Sequence, residues 1–190
     1  MSNAMKSREL TPEAAAFRKV VGRCAAGVVL LDASGPGESV SMAVNSFAPV
    51  SVEPPLALFC AWKTSESWAG IRRAGGFSAS MLTSEQIELS SAFARKRPDR
   101  YDLAEWSALP SGRRRLTECL AWMDCEIQEV MDAGDHEICL SRVVDHGLSE
   151  QGTPVVFYAG KYWTDLSVAE RTTTERDSTI ADREASAAHA

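Results

Sequence analysis

A chain of 190 residues with 45% hydrophobic composition is long enough for one domain with a sizeable core and too short for two comfortable ones. Its net charge of -6 and pI near 5.2 argue against a nucleic-acid or anionic-membrane surface, because phosphate backbones attract a basic footprint. No apolar run approaches the roughly 20 residues that span a bilayer and no secretion signal opens the chain, so a cytoplasmic protein acting on small molecules is the expectation.

Met1-Ser2-Asn3-Ala4 precede a second start at Met5 and read as an expression remnant, leaving a domain over 5–165. Residues 166–190 are Thr, Glu, Arg, Ser and Ala with almost no large apolar side chain, which predicts a flexible tail. The five cysteines (Cys24, Cys60, Cys119, Cys125, Cys139) form no C-x-x-C pair and sit among apolar neighbours as buried small hydrophobes would. His136, His146 and His189 have no ligand spacing, so no metal site is expected.

In chain order, Thr11 to Ala26 reads as a helix with Thr11 as cap, Pro12 in the first turn and Ala16, Val20 and Val21 on one apolar side. Val28 to Leu31 and Val40 to Val44 then form a hairpin about a turn at Asp32–Gly37. After the break at Pro54-Pro55, Leu56 to Trp62 is a continuous apolar run of the kind buried on both faces. Thr64 to Ala74 is a short helix closed by Gly75-Gly76, and Phe77 to Leu82 another strand. Thr83 and Gln86 make a capping box that opens a helix to about Ala94.

Arg95 to Arg115 is charged, contains Pro98 and Pro110 and lacks a sustained period, which predicts a long loop. Two long antiparallel strands, Leu120 to Val130 and Glu137 to Val144, flank the turn Asp132-Ala133-Gly134-Asp135, and Val155 to Tyr158 is the last strand. About seven strands with two or three inserted helices suit a closed antiparallel barrel, mainly β. No G-x-G-x-x-G follows a strand, and neither a P-loop nor G-x-S-x-G occurs.

Two segments carry candidate chemistry. Trp62-Lys63-Thr64-Ser65-Glu66-Ser67-Trp68 places one cation and three hydroxyls at a helix start, whose free amides and dipole suit a phosphate. The same Thr64 and Ser65 are equally explained as an ordinary cap, and Glu66 must point outward for an anion to bind. In Ala43-Val44-Asn45-Ser46-Phe47, Asn45 and Ser46 interrupt a strand where packing residues belong. Their amide and hydroxyl form the set that reads the polar edge of a planar heterocycle, or else a strand-ending turn.

These segments, with Val50-Ser51-Val52-Glu53-Pro54-Pro55-Leu56, Phe93-Ala94, Asp99-Arg100-Tyr101, Trp106, Asp132–His136 and Gly160-Lys161-Tyr162, resemble in order and spacing the flavin reductase family with the FMN-binding split-barrel fold. The resemblance covers roughly residues 14 to 163 and implies an antiparallel split β-barrel of Greek-key type. It implies a homodimer that reduces FMN or FAD with NADH or NADPH and supplies a separate monooxygenase acting on an aromatic substrate, such as those of phenol, hydroxyphenylacetate or steroid-ring hydroxylation. By position, Ala43, Val44, Asn45, Ser46 and Phe47 would meet the isoalloxazine and ribityl groups, and Lys63, Thr64, Ser65 and Ser67 the phosphate.

Phe93 and Arg100 would also touch the flavin. His136 would orient the dinucleotide, with Gly160, Lys161 and Tyr162 completing that side. Taken without the resemblance, His136 is a turn histidine and Tyr162 a packing residue. Departures are Ala43, where the family often has Thr, Pro49, where it has Ser or Thr, and Ser67, where it has Thr. A flavin carrier or redox sensor on the same barrel is the rival reading.

Overall fold

The structure, a computed structural model, describes residues 11–35, 38–149 and 152–164. The predicted expression remnant and tail lie outside the described residues. Helix α1 (Pro12–Val21) starts as expected, with the Thr11 hydroxyl accepting from the Ala14 amide at 3.2 Å, but ends before Gly22 rather than at Ala26. It buries no residue, and Phe17 and Val20 are each 66% exposed, so its apolar side is uncovered by the described chain.

Strands β1 (Ala26–Gly27), β2 (Val29–Asp32), β3 (Ser41–Val44), β4 (Ala48–Ser51) and β5 (Leu56–Trp62) lead into α2 (Glu66–Ala74) and β6 (Gly76–Met81). A 3-10 turn (Ser84–Gln86) runs into α3 (Ile87–Ala94), with Gln86 Oε1 accepting from the Thr83 amide at 3.0 Å as the capping box requires. Then come β7 (Trp106–Ala108), β8 (Arg114–Leu116), the long pair β9 (Ala121–Ala133) and β10 (His136–Leu148), and the hairpin β11 (Val156–Tyr158) and β12 (Lys161–Trp163). Between β11 and β12 both Ala159 (φ 51°) and Gly160 (φ 77°) are left-handed, the backbone of a two-residue primed turn.

The main sheet has seven antiparallel strands in the order β3-β2-β6-β9-β10-β5-β4, beside a three-stranded sheet β1-β11-β12. No ladder joins β3 to β4 among the described residues, so the expected closed barrel is corrected to an open sheet. Its two edge strands are nevertheless consecutive in the chain. Asn45, Ser46 and Phe47 alone carry the backbone from one edge to the other.

One face of the sheet buries Val29, Leu31, Phe59, Phe77, Ala79, Cys125 and Cys139 against Trp68 and Ile71 of α2. Phe59 meets Trp68 and Phe77 edge-on at 5.3 and 5.2 Å, and Trp68 Nε1 donates to Glu137 Oε2 at 2.6 Å, so α2 is seated on β10 as well as in the core. The other face packs Leu30, Leu82, Leu89, Phe93, Leu116 and Val155 under α3. Strand β5 alternates instead of being buried on both faces: Ala57, Phe59 and Ala61 are buried, whereas Leu58 and Cys60 are half-buried.

The expected loop between α3 and β9 is also corrected, since it contains the β7-β8 ribbon. Its arginines hold it to the sheet. Asp32, Ser78 and Asp124 are register partners across β2, β6 and β9, and the two carboxylates are each 1% exposed. Arg114 reaches Asp32 at 3.3 Å and Arg113 reaches Asp124 at 2.9 Å, while the Arg114 guanidinium lies over Trp106 at 4.2 Å. Ser34 and Ser41 hydroxyls complete the shell of Asp32. Gly76 makes room for Arg113, because a Cβ there would stand 2.2 Å from the Arg113 Nη2. A charge run that looks solvated in sequence thus neutralises two buried carboxylates.

Cys119, Cys125 and Cys139 are buried as expected, and burial pushes the Cys125 and Cys139 thiols up to about 12. Cys24 differs from the expectation in being exposed. At pH 8 a thiol reagent is expected to label Cys24 and to leave Cys125 and Cys139 unmodified until denaturant is added, as peptide mapping would show. Replacing Arg114 by Met leaves Asp32 buried without its cation, and urea unfolding should show a loss of about 3 kcal/mol.

Candidate functional site

The far end of β5 gathers most of the predicted residues. Ser46 Oγ donates to the Cys60 carbonyl and accepts from the Cys60 amide, both at 3.0 Å. Its hydroxyl therefore takes the place of a ladder partner on the edge of β5, just beyond the last β4 pair, Ala48 with Leu58. Beside it Asn45 is exposed, Phe47 packs on the core formed with Val44, and Ala43 packs toward the α3 side. Of the five residues in this segment, only Asn45 presents a free polar side chain to solvent.

Two residues beyond Cys60, Trp62 is the direct ladder partner of His136 at the start of β10, and their rings lie 4.2 Å apart at a 40° tilt. The Asp135 carboxylate lies 2.6 Å from His136 Nδ1. The Lys63 amide donates to the Asp135 carbonyl at 3.2 Å, and its ammonium pairs with Asp132, which holds that carboxyl below the usual carboxylate range. The tip of the β9-β10 hairpin is thereby tied to the end of β5. Lys63, expected as a phosphate ligand, is engaged by this carboxylate in the single chain.

At the start of α2 the Ser65 hydroxyl accepts from the Trp68 amide at 3.2 Å, so the cap reading of Ser65 holds for its side chain. The Glu66 and Ser67 amides, first in the helix, find no partner among the described residues. Thr64 is exposed and Ser67 half-buried. Glu66 turns outward, its side chain 88% exposed and paired with Lys96 at 3.0 Å, which removes the carboxylate that would repel an anion there.

Phe93, Arg100 and Tyr162 belong to a second group. Phe93 is 4% exposed and meets Tyr101 edge-on at 5.2 Å, with the Arg100 guanidinium 4.6 Å from the Tyr101 ring. The Tyr162 hydroxyl lies 2.9 Å from Ser90 Oγ on α3, while Gly160 and Lys161 are exposed in the β11-β12 turn. No described contact joins this group to His136. Trp62, Asp132, Asp135 and Lys96 were missed as site residues, because in sequence they are a strand end, turn formers and a loop cation.

Two wide grooves, of about 550 and 940 Å³, lie elsewhere, beside Thr83 and Glu118. Glu85, Glu88, Asp102 and Glu105 line the first, a rim that repels phosphate, so the α2 start is the better anion site.

Residues 21–164 match the family described as the flavin reductase like domain. The chain belongs to that family. Among curated relatives, the reductase subunit HsaB of a flavin-dependent monooxygenase from Rhodococcus jostii is 39% identical over 146 residues, covering 77% of this chain and 75% of that one. A flavin reductase of Pseudomonas putida is 34% identical over 147 residues, covering 77% and 86%. The NADH:FAD oxidoreductase SgcE6 of Streptomyces globisporus, solved with NAD and FAD fragments, superposes with a TM-score of 0.77 at 26% identity, over 85% of this chain and 98% of that one.

A flavin reductase needs donors for an anionic, planar cofactor, and the α2 start and the Asn45 corner hold groups of that kind. Two amides without a partner among the described residues, the Thr64 and Ser67 hydroxyls and the Asn45 side-chain amide lie about the end of β5, with the Glu66 carboxylate paired to Lys96. That donor set fits a flavin and its phosphate. Replacing Ser46 by Ala leaves the Cys60 amide and carbonyl without this partner, and urea unfolding should show a loss of about 1–2 kcal/mol.

Proposed function

We propose that this flavin reductase oxidises NADH or NADPH, reduces FMN or FAD, and passes the reduced flavin to a separate monooxygenase that hydroxylates an aromatic substrate. The observation that carries the reading is the anion-ready start of α2, placed by β5 beside both the Asn45 corner and the His136 hairpin tip. The chain is an NAD(P)H:flavin oxidoreductase. Bound flavin supplies the acceptor for a hydride from the nicotinamide, and positioning is the protein's contribution.

In this reading the Glu66 and Ser67 amides, with Thr64, Ser65, Ser67 and the Lys63 ammonium, hold the flavin phosphate. Lys63 reaches it by sharing its charge with Asp132. Asn45 reads the edge of the isoalloxazine, and Ala43, Val44, Ser46 and Phe47 line it chiefly through backbone, since the Ser46 hydroxyl is occupied by Cys60. Phe93 and Arg100 support the flavin from the α3 side. His136 orients the dinucleotide, and Gly160, Lys161 and Tyr162, which no described contact joins to His136, would reach the same ligand from the β11-β12 hairpin.

A split barrel of Greek-key type is the proposed architecture, its sheet left open between β3 and β4, which only the chain at Asn45–Phe47 connects. The wider assembly is proposed as a cytoplasmic homodimer, supported by the family resemblance and by apolar surface such as Val52 and Leu148, 93% and 85% exposed. No described helix is long and apolar enough to cross a membrane. For the oxygenase, relatives named with monooxygenase and N-demethylase partners support a two-component system.

Steady-state oxidation of NADH is expected to accelerate when FMN or FAD is added, and the absence of any acceleration would count against the reading. His136→Ala should lose NADH affinity or turnover while flavin fluorescence titrations stay unchanged. A flavin carrier would show no functional change.

A further inference from the structure

What holds the imidazole of His136 is visible in the fold. Its Nδ1 faces the Asp135 carboxylate at 2.6 Å, and its ring face lies against Trp62 with centroids 4.2 Å apart. The hairpin that carries it is fastened by Lys63, the residue next to Trp62, whose backbone amide donates a hydrogen bond to the Asp135 carbonyl and whose ammonium pairs with Asp132. With a carboxylate accepting at Nδ1, the network assigns the hydrogen of the neutral ring to that nitrogen and leaves Nε2 as the other polar atom. The imidazole is 29% exposed, so it lies at the surface of the site.

A histidine ring rotates broadly about its second side-chain torsion unless a neighbour blocks it. Asp135 restrains one nitrogen from the adjacent residue of the same turn, and the face of the ring is met from elsewhere in the fold. Trp62 comes from a different strand, and β5 is buried along Ala57, Phe59 and Ala61. Its indole, 47% exposed, is not used for core packing. Carried on a strand anchored in the core, it is the wall against which the ring lies.

The geometry points to Trp62 as a positioning residue for the reductase reaction: it fixes the plane of His136, so that Nε2 meets the incoming nicotinamide dinucleotide in one orientation. This rests on the reading of His136 as the residue that orients the dinucleotide. No proton or hydride passes through the indole. Because aromatic contacts of this kind are modest, the expected effect is a change in NADH affinity of about two- to tenfold.

The test is a double-mutant cycle of Trp62→Ala and His136→Ala, reading KM and kcat for NADH at saturating flavin and the flavin Kd by fluorescence. Trp62→Ala is expected to raise KM for NADH by about two- to tenfold with little change in flavin Kd, and Trp62→Phe to restore most of it. In the His136→Ala background the same substitution should add nothing. An unchanged KM in Trp62→Ala, or an undiminished effect in the His136→Ala background, overturns the assignment. Should Trp62→Ala not fold, Trp62→Leu keeps the apolar bulk without the ring and is read the same way. Failure of the reductase reading itself would be seen earlier, as a wild-type protein that does not oxidise NADH with added flavin.

Discussion

Between β3 and β4 the chain has three residues in which to leave one edge of a seven-stranded sheet and join the other, and the Ser46 hydroxyl is what makes the second landing possible. By donating to the Cys60 carbonyl and accepting from the Cys60 amide, it satisfies two edge groups of β5 that no strand residue reaches. The corner is therefore tethered where β5 approaches its end. Asn45 faces solvent on one side of that tether, and Trp62, Lys63 and the start of α2 follow on the other. The geometry of the proposed flavin site follows from the way the sheet turns its corner.

Elsewhere in the sheet, buried charge has to be neutralised by pairing. Asp32 and Asp124 lie in one row across the sheet with Ser78 between them, and two unpaired carboxylates there would be too costly to keep ionised. Arg113 and Arg114 solve this by bringing the β7-β8 ribbon down on them, with Trp106 and Tyr101 covering the Arg114 guanidinium. The ribbon carries Trp106 against Phe93 and so closes the aromatic group beneath α3. That group and the β5 end are separate assemblies in the single chain, joined at the surface by the Lys96 to Glu66 ion pair.

Much of the fold was legible in sequence because local rules and packing agree in it. Thr11 with Pro12, Thr83 with Gln86, and the glycine after Asp132-Ala133 each mark an element end by local chemistry that survives in the structure. The ribbon at 106–116 was not legible: its strands are three residues each, and its arginines carry no sign in sequence that they are destined for buried carboxylates. Nor could β4 be read, since it begins at the corner and contains Pro49.

For the site, the sequence by itself determined the kinds of donor and their order: an amide and a hydroxyl at 45–46, hydroxyls at a helix start, and a histidine in a tight turn. Local residue chemistry and the helix dipole are properties of short segments, so they can be read before folding. Which of those groups stay available was decided only by tertiary structure, because hydrogen bonds and ion pairs between distant residues compete for them. Cys60 takes the Ser46 hydroxyl, Asp132 engages Lys63, Lys96 draws Glu66 away from the α2 start, and Trp62 meets His136 across 74 positions of chain through a single ladder pair.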